Sequence, residues 1–130
     1  MGKKILEKIK QVFVVDDNLS ICRSLLILLA TYGFTTHTFS SAEEFFRTVP
    51  NSIPGCLIID IHMPGLDGWE MLQHIFPSEC SRSVIVMSAD KNGGLKERAL
   101  KAGAVGFLQK PFNDQALVDL INIAFGKKQA

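Results

Sequence analysis

The chain has 130 residues, 47% hydrophobic and 21% charged, which is room for one globular domain able to bury a core without metal or disulfide staples. Its net charge of +1 lacks the basic excess expected of a nucleic-acid-binding domain. The charge is unevenly placed, because Lys3, Lys4, Lys8, Lys10, Lys127 and Lys128 crowd the two ends while residues 11–126 carry 8 basic and 12 acidic side chains.

Residues 1–10 stand outside the pattern that follows and read as a basic N-terminal extension. Val12-Phe13-Val14-Val15, closed by Asp16-Asp17, reads as a first strand, since β-branched and aromatic residues favour that state. Cys22, Leu25, Leu26 and Leu29 then fall at helical spacing behind an Asn18 cap, and Gly33 ends the segment. Phe34 to Phe39 holds three threonines and His37, the composition of an edge strand. Ala42, Phe45, Phe46 and Val49 make a second apolar stripe, opened by Ser40 with Glu43 three residues on, a capping-box pattern.

Cys56-Leu57-Ile58-Ile59-Asp60 reads as a third strand. A third helix follows on Met71, Leu72, Ile75 and Phe76, capped by Asp67 with Glu70 and stopped by Pro77. Residues 83–88 make a fourth strand, 94–102 a short and mostly polar helix expected to be the least buried, and 105–109 a fifth strand. Ala116, Leu117, Leu120, Ile121 and Ala124 give a last helix, so that the domain spans 11–126 and leaves 127–130 as a tail.

Four of the five strand runs are nearly continuous in apolar residues, as strands buried on both faces of a parallel sheet are. Strand starts near 12, 34, 56, 83 and 105 leave space for one helix and two short loops in each interval. An α/β fold with right-handed crossovers and helices on both faces of the sheet is expected. Three cysteines, Cys22, Cys56 and Cys80, cannot pair completely and have no metal-ligand spacing, which suits a reducing, cytoplasmic setting. Leu25 to Ala30 is the longest aliphatic stretch, far short of the roughly 20 residues that span a bilayer, and no signal-peptide core follows the basic N-terminus.

In open α/β sheets the ligand site lies at the carboxyl ends of the strands. Here those ends carry Asp16-Asp17, Asp60 and Ser88, with Lys110-Pro111 after the fifth strand. If strands one, three, four and five are neighbours, these side chains converge. Three carboxylates together repel one another, and a hard divalent cation resolves the conflict, oxygen-only ligation selecting Mg²⁺ or Mn²⁺. Carboxylate, metal, ammonium and hydroxyl are the parts that stabilise a transferring phosphoryl group. Asp60, single at the end of a central strand, is the candidate nucleophile.

Four motifs in this order resemble the receiver domain of bacterial two-component response regulators. They are Val14-Val15-Asp16-Asp17-Asn18, residues 60–68 (Asp-Ile-His-Met-Pro-Gly-Leu-Asp-Gly), Met87-Ser88-Ala89, and residues 103–112 ending in Lys110-Pro111-Phe112. The resemblance implies a flavodoxin-like doubly wound sheet of five parallel strands, order 2-1-3-4-5, with five helices. It implies Asp60 as the phosphoacceptor served by a sensor histidine kinase or phosphotransfer protein. Asp16, Asp17, Asp60 and the backbone carbonyl of His62 are then the Mg²⁺ ligands, and Lys110 binds the phosphoryl group. Ser88 and Phe107 take the two switch positions, and Lys110-Pro111 is expected to be a cis peptide. His62 and Asp90 flank the phosphoryl's solvent side and could pair across its access path. The face of the fourth helix, fifth strand and fifth helix is implied as the responsive surface and a possible homodimer contact, with no direct nucleic-acid or membrane binding by this domain.

Two readings compete. A small aspartyl-phosphate phosphatase or another flavodoxin-like enzyme would share the fold, but a dehalogenase-type enzyme needs an Asp-x-Asp pair where this first strand ends in adjacent aspartates. The receiver could stand alone or precede an output domain. Ser40-Ser41-Ala42-Glu43-Glu44-Phe45 resembles receivers joined to helix-turn-helix domains in the nitrogen-fixation and nitrate-regulator group.

Overall fold

The computed structural model describes residues 10–76 and 82–129. Five strands, β1 Gln11–Val15, β2 Thr35–Phe39, β3 Cys56–Asp60, β4 Ser83–Ser88 and β5 Gly106–Gln109, alternate with five helices, α1 Leu19–Thr31, α2 Ala42–Thr48, α3 Gly68–Ile75, α4 Leu95–Lys101 and α5 Asp114–Gln129. All strand pairs are parallel, in the order β2-β1-β3-β4-β5. This is the expected doubly wound architecture, with β2 at one edge and β5 at the other.

Side-chain alternation along the strands divides the core into two. Phe13, Val15, Leu57, Ile59, Val84 and Val86 face a cluster with Ala42 and Phe45 of α2, Met71, Leu72 and Ile75 of α3, and Ala99 of α4. Val12, Val14, Cys56, Ile58, Ile85, Met87 and Leu108 face the other way, onto Cys22, Leu25 and Leu29 of α1 and Leu117, Val118, Ile121 and Ala124 of α5. Burial on both faces accounts for the unbroken apolar runs of β1, β3 and β4. As expected, α4 is weakly anchored: Ala99 is its one buried residue.

Three local expectations need correction. The cap of α2 is Ser41, whose hydroxyl accepts from Glu44 N, rather than Ser40; Glu44 Oε1 instead accepts from Ser40 N at 3.0 Å. Leu26 is 40% exposed, because the helix rotation that buries Leu25 and Leu29 carries it to the solvent side. Finally, α5 runs through Gly126 to Gln129, since one exposed helical glycine costs only about 1 kcal/mol. The expected caps at Asn18 and Asp67 are both formed, the latter as a complete capping box with Glu70. The N-terminal extension up to residue 9, the Pro77 stop and Cys80 lie outside the described residues, among which Cys22 and Cys56 are both buried. Among the described residues, no helix is long and apolar enough to cross a membrane.

Candidate functional site

Parallel pairing places the carboxyl ends of β1, β3, β4 and β5 along one edge, so the polar residues that end or follow these strands meet there. Asp16, Asp17 and Asp60 each offer a carboxylate oxygen within 4.8 Å of the other two. Asp16 is fully buried and Asp60 nearly so, while Asp17 is exposed and opens the cluster to solvent. From the far side, Lys110 Nζ donates to Asp16 Oδ2 at 2.7 Å and to Asp60 Oδ2 at 3.1 Å. The Lys110–Pro111 peptide bond is cis.

Backbone amides hold the remaining carboxylate oxygens. Asn18 N donates to Asp16 Oδ1 at 2.9 Å, and His62 N donates to Asp60 Oδ1 at 3.1 Å. Gly68 opens α3 directly against the chain leaving β3, its N–H donating to Ile61 O at 3.0 Å. A Cβ there would come within 2.6 Å of Ile61 Cα and 2.8 Å of Asp60 O, so only glycine allows that approach.

The electrostatics follow from burial and pairing. Desolvation raises the pKa of Asp16 and the Asp60 charge adds to it, although the Lys110 and Asn18 hydrogen bonds oppose the rise. Burial pushes Lys110 down, but its hydrogen bonds and charge interactions with Asp16 and Asp60 outweigh this, leaving its pKa raised. Lys110 is therefore a fixed positive charge at neutral pH. Cys22 Sγ lies 3.2 Å from the Asp16 carbonyl oxygen, and burial together with the Asp16 charge pushes that thiol up.

Ser88 is fully buried, and its Oγ accepts from Asp90 N at 3.0 Å, which leaves the hydroxyl proton available to another acceptor. His62 Nε2 lies 3.7 Å from Asp90 Oδ2 at the solvent side. Phe107 is not with the carboxylates; it is half-buried against the core beneath α2, α3 and α4. His37 stacks on Phe13 and His74 meets Phe46 edge-on, both away from the carboxylate cluster. Sequence reasoning missed the reach of Glu43 Oε2 to Leu66 N, 3.3 Å across the loop after β3. Its signal, an acidic residue in a helix's first turn, is too common to point at a loop 23 residues away.

Comparison with known proteins agrees with this geometry. Residues 12–122 match the family model of the response regulator receiver domain. The chain is 35% identical over 113 residues to the transcriptional regulatory protein FixJ of Bradyrhizobium diazoefficiens, covering 87% of this chain and 55% of that protein. Nodulation protein W of the same organism is 34% identical, with 85% of this chain and 48% of that protein covered. The chain thus spans about half the length of these curated relatives. Among solved structures, response regulator StyR superposes with a TM-score of 0.85 at 35% identity, covering 92% of this chain and 61% of that one. The crystal structure of FixJ-N gives a TM-score of 0.78 at 32% identity, covering 90% of this chain and 94% of that one. The chain belongs to the response regulator receiver domain family, whose members are regulatory components of two-component systems rather than enzymes in the ordinary sense.

Proposed function

We propose that Asp60 is the residue of this receiver that accepts the phosphoryl group, delivered from the phosphohistidine of a sensor kinase or phosphotransfer protein. The observation that carries the reading is the meeting of three carboxylates within 4.8 Å while Lys110 bridges two of them. A carboxylate oxygen of Asp60 attacks phosphorus, the P–N bond to the donor imidazole breaks, and an acyl phosphate forms. The domain catalyses this step, which frees the donor's imidazole, and the later attack of water on the acyl phosphate, which breaks its P–O bond, restores the Asp60 carboxylate and releases inorganic phosphate.

The donor set suits Mg²⁺ or Mn²⁺: it is all oxygen, clustered, and open at Asp17. Asp16, Asp17, Asp60 and the His62 backbone carbonyl are the residues that would hold the cation, which when bound neutralises phosphoryl oxygens in transfer. The chain's own residues do the rest. Lys110, kept charged by its two aspartate partners, offsets negative charge beside Asp60. Ser88 directs a free hydroxyl proton from the end of β4. Once phosphorylated, the site draws the Ser88 hydroxyl inward and Phe107 follows into the vacated space. The face of α4, β5 and α5 then changes toward an output domain, a partner protein or a second copy of the chain. Nucleic acid and membrane are not expected ligands of this domain, and a cytoplasmic setting fits a chain whose three cysteines cannot pair completely.

The test is labelling by acetyl phosphate. Mg²⁺-dependent label should appear on wild type, vanish with EDTA, and be missing from Asp60→Asn. Undiminished label on that variant, or full labelling without metal, would sink the assignment.

A further inference from the structure

The segment Ser40–Phe45 does more than cap its helix. Ser41 caps α2 and Glu44 turns back to Ser40, whereas Glu43 reaches out of α2 altogether. Its Oε2 accepts from Leu66 N at 3.3 Å. The same oxygen lies 2.9 Å from where a Cβ on Gly65 would stand, and Gly65 has a φ of +73°. The carboxylate therefore occupies the space that a side chain at Gly65 would take, which brings it directly against the loop backbone.

That loop joins β3 to α3 and carries His62. Its start is fixed by His62 N on Asp60 Oδ1 and its end by the Asp67–Glu70 capping box and Gly68 N on Ile61 O. Glu43 holds the middle, from a helix that contributes nothing to the carboxylate cluster. A backbone carbonyl can serve a cation only if the path of its chain is fixed, because a displacement of about 1 Å is enough to spoil such a site.

We infer that Glu43 is a positioning residue for the acceptor loop, setting the metal affinity and phosphorylation rate of Asp60 by tethering Leu66. The inference rests on the reading of Asp60 as phosphoacceptor and of the His62 carbonyl as a metal ligand. Reach and charge are separable here. Glu43→Gln keeps the reach and an acceptor oxygen but loses the charge; Glu43→Asp keeps the charge but falls short by a methylene; Glu43→Ala keeps neither.

The side chain is exposed, so all three variants should fold. Mg²⁺ titration followed by the fluorescence of Trp69, which lines a cleft with His62, Pro64 and Asp67, reads metal affinity. Acetyl phosphate labelling reads rate, and amide exchange at Leu66 in metal-free protein reads the tether itself. Glu43→Ala and Glu43→Asp should each weaken Mg²⁺ binding, slow labelling and speed Leu66 exchange by roughly three- to tenfold, the scale of one hydrogen bond, while Glu43→Gln stays within about twofold of wild type. The reverse order, with the aspartate variant like wild type and the glutamine variant like alanine, overturns the tether in favour of a charge effect. Unchanged Leu66 exchange in Glu43→Ala also overturns it. Wild type that takes neither Mg²⁺ nor phosphate would refute the proposed function, and Leu66 exchange would still decide whether Glu43 is a tether.

Discussion

The ammonium of Lys110 lies 2.7 Å from Oδ2 of Asp16, a carboxylate with no exposed surface and 94 positions away in the chain. Without its cation, Asp16 would be a buried charge beside a second carboxylate. Lys110→Met should therefore cost about 2–4 kcal/mol of stability in metal-free protein, less than a wholly buried pair because the lysine is 15% exposed. Added Mg²⁺ should recover part of the loss by neutralising the same oxygens. The pH dependence has a definite sign. Because the folded pKa of Lys110 lies above its ordinary 10.5, its contribution is fully present below that value and lost as pH rises through the folded one. Urea melts of wild type and variant should differ by a constant amount from about pH 7 to about pH 9 and converge only in stronger alkali.

The long-range meeting of Asp16, Asp60 and Lys110 was legible because unbroken apolar runs such as Leu57-Ile58-Ile59 mark central parallel strands, and strand ends are where such sheets gather polar groups. Other features left no periodic trace. Ser40 and Ser41 are each followed by a glutamate three residues on, so the pattern is degenerate and only the folded chain selects Ser41. In Leu25–Ala30 every position is aliphatic, and period alone cannot place Leu26 or the 63% exposed Ile27. Glu43 on Leu66 joins a helix to an irregular loop, a contact that neither a period of 3.6 nor one of 2 announces.

Metal should stabilise the fold through the carboxylate cluster. A hundredfold excess of Mg²⁺ over its dissociation constant adds about 2.7 kcal/mol by mass action, a rise of several degrees in melting temperature by scanning calorimetry. EDTA should reverse it. Asp17→Asn should abolish most of the rise, whereas Asp67→Ala should lower the baseline but keep the rise, because Asp67 caps α3 and is not in the cluster. Equal loss of the Mg²⁺ effect in both variants would contradict this division of roles.

At the opposite end of β4, Arg82 is 7% exposed and donates from Nε to Ile53 O at 2.8 Å and from Nη2 to Pro50 O. Its guanidinium also lies 5.0 Å from the Phe45 ring centroid and 5.6 Å from that of Phe13. A lysine cannot reproduce the planar fork on two carbonyls while stacking on rings. Arg82→Lys should cost about 1–3 kcal/mol in denaturant unfolding yet leave Mg²⁺ affinity unchanged. A neutral substitution would mean that the fork contributes little.

The proposed switch requires Ser88 and Phe107 to respond together. Phosphorylation can shift the population only through contacts that differ between the two states, and the free Ser88 hydroxyl proton supplies one. Beryllofluoride, which mimics the bound phosphoryl group, should perturb amide resonances from Ser88 through α4 to Phe107. In Ser88→Ala the perturbation should remain near Asp60. Shifts confined to residues 61–67 in wild type would mean that nothing propagates to the α4 face.

His62 and Asp90 approach to 3.7 Å with side chains 56% and 34% exposed. Asp90 is the better anchored of the two: its N–H donates to Ser88 Oγ, and its carboxylate accepts from Asn92 N at 3.0 Å and Asn92 Nδ2 at 3.2 Å. His62 is the movable partner, and the contact becomes an ion pair when its imidazole is protonated. Exposed pairs contribute about 0–1 kcal/mol, which at the upper end changes a hydrolysis rate by roughly fivefold. If the pair narrows the path of attacking water, His62→Ala and Asp90→Ala should each shorten the phosphorylated lifetime by up to that factor. The double variant should add little to either, since both remove one interaction. Salt provides a second reading, because it screens exposed charges: higher ionic strength should shorten the wild-type lifetime and leave His62→Ala unaffected. Strictly additive single effects, or equal salt sensitivity in both proteins, would mean that the two residues act independently at the mouth of the site.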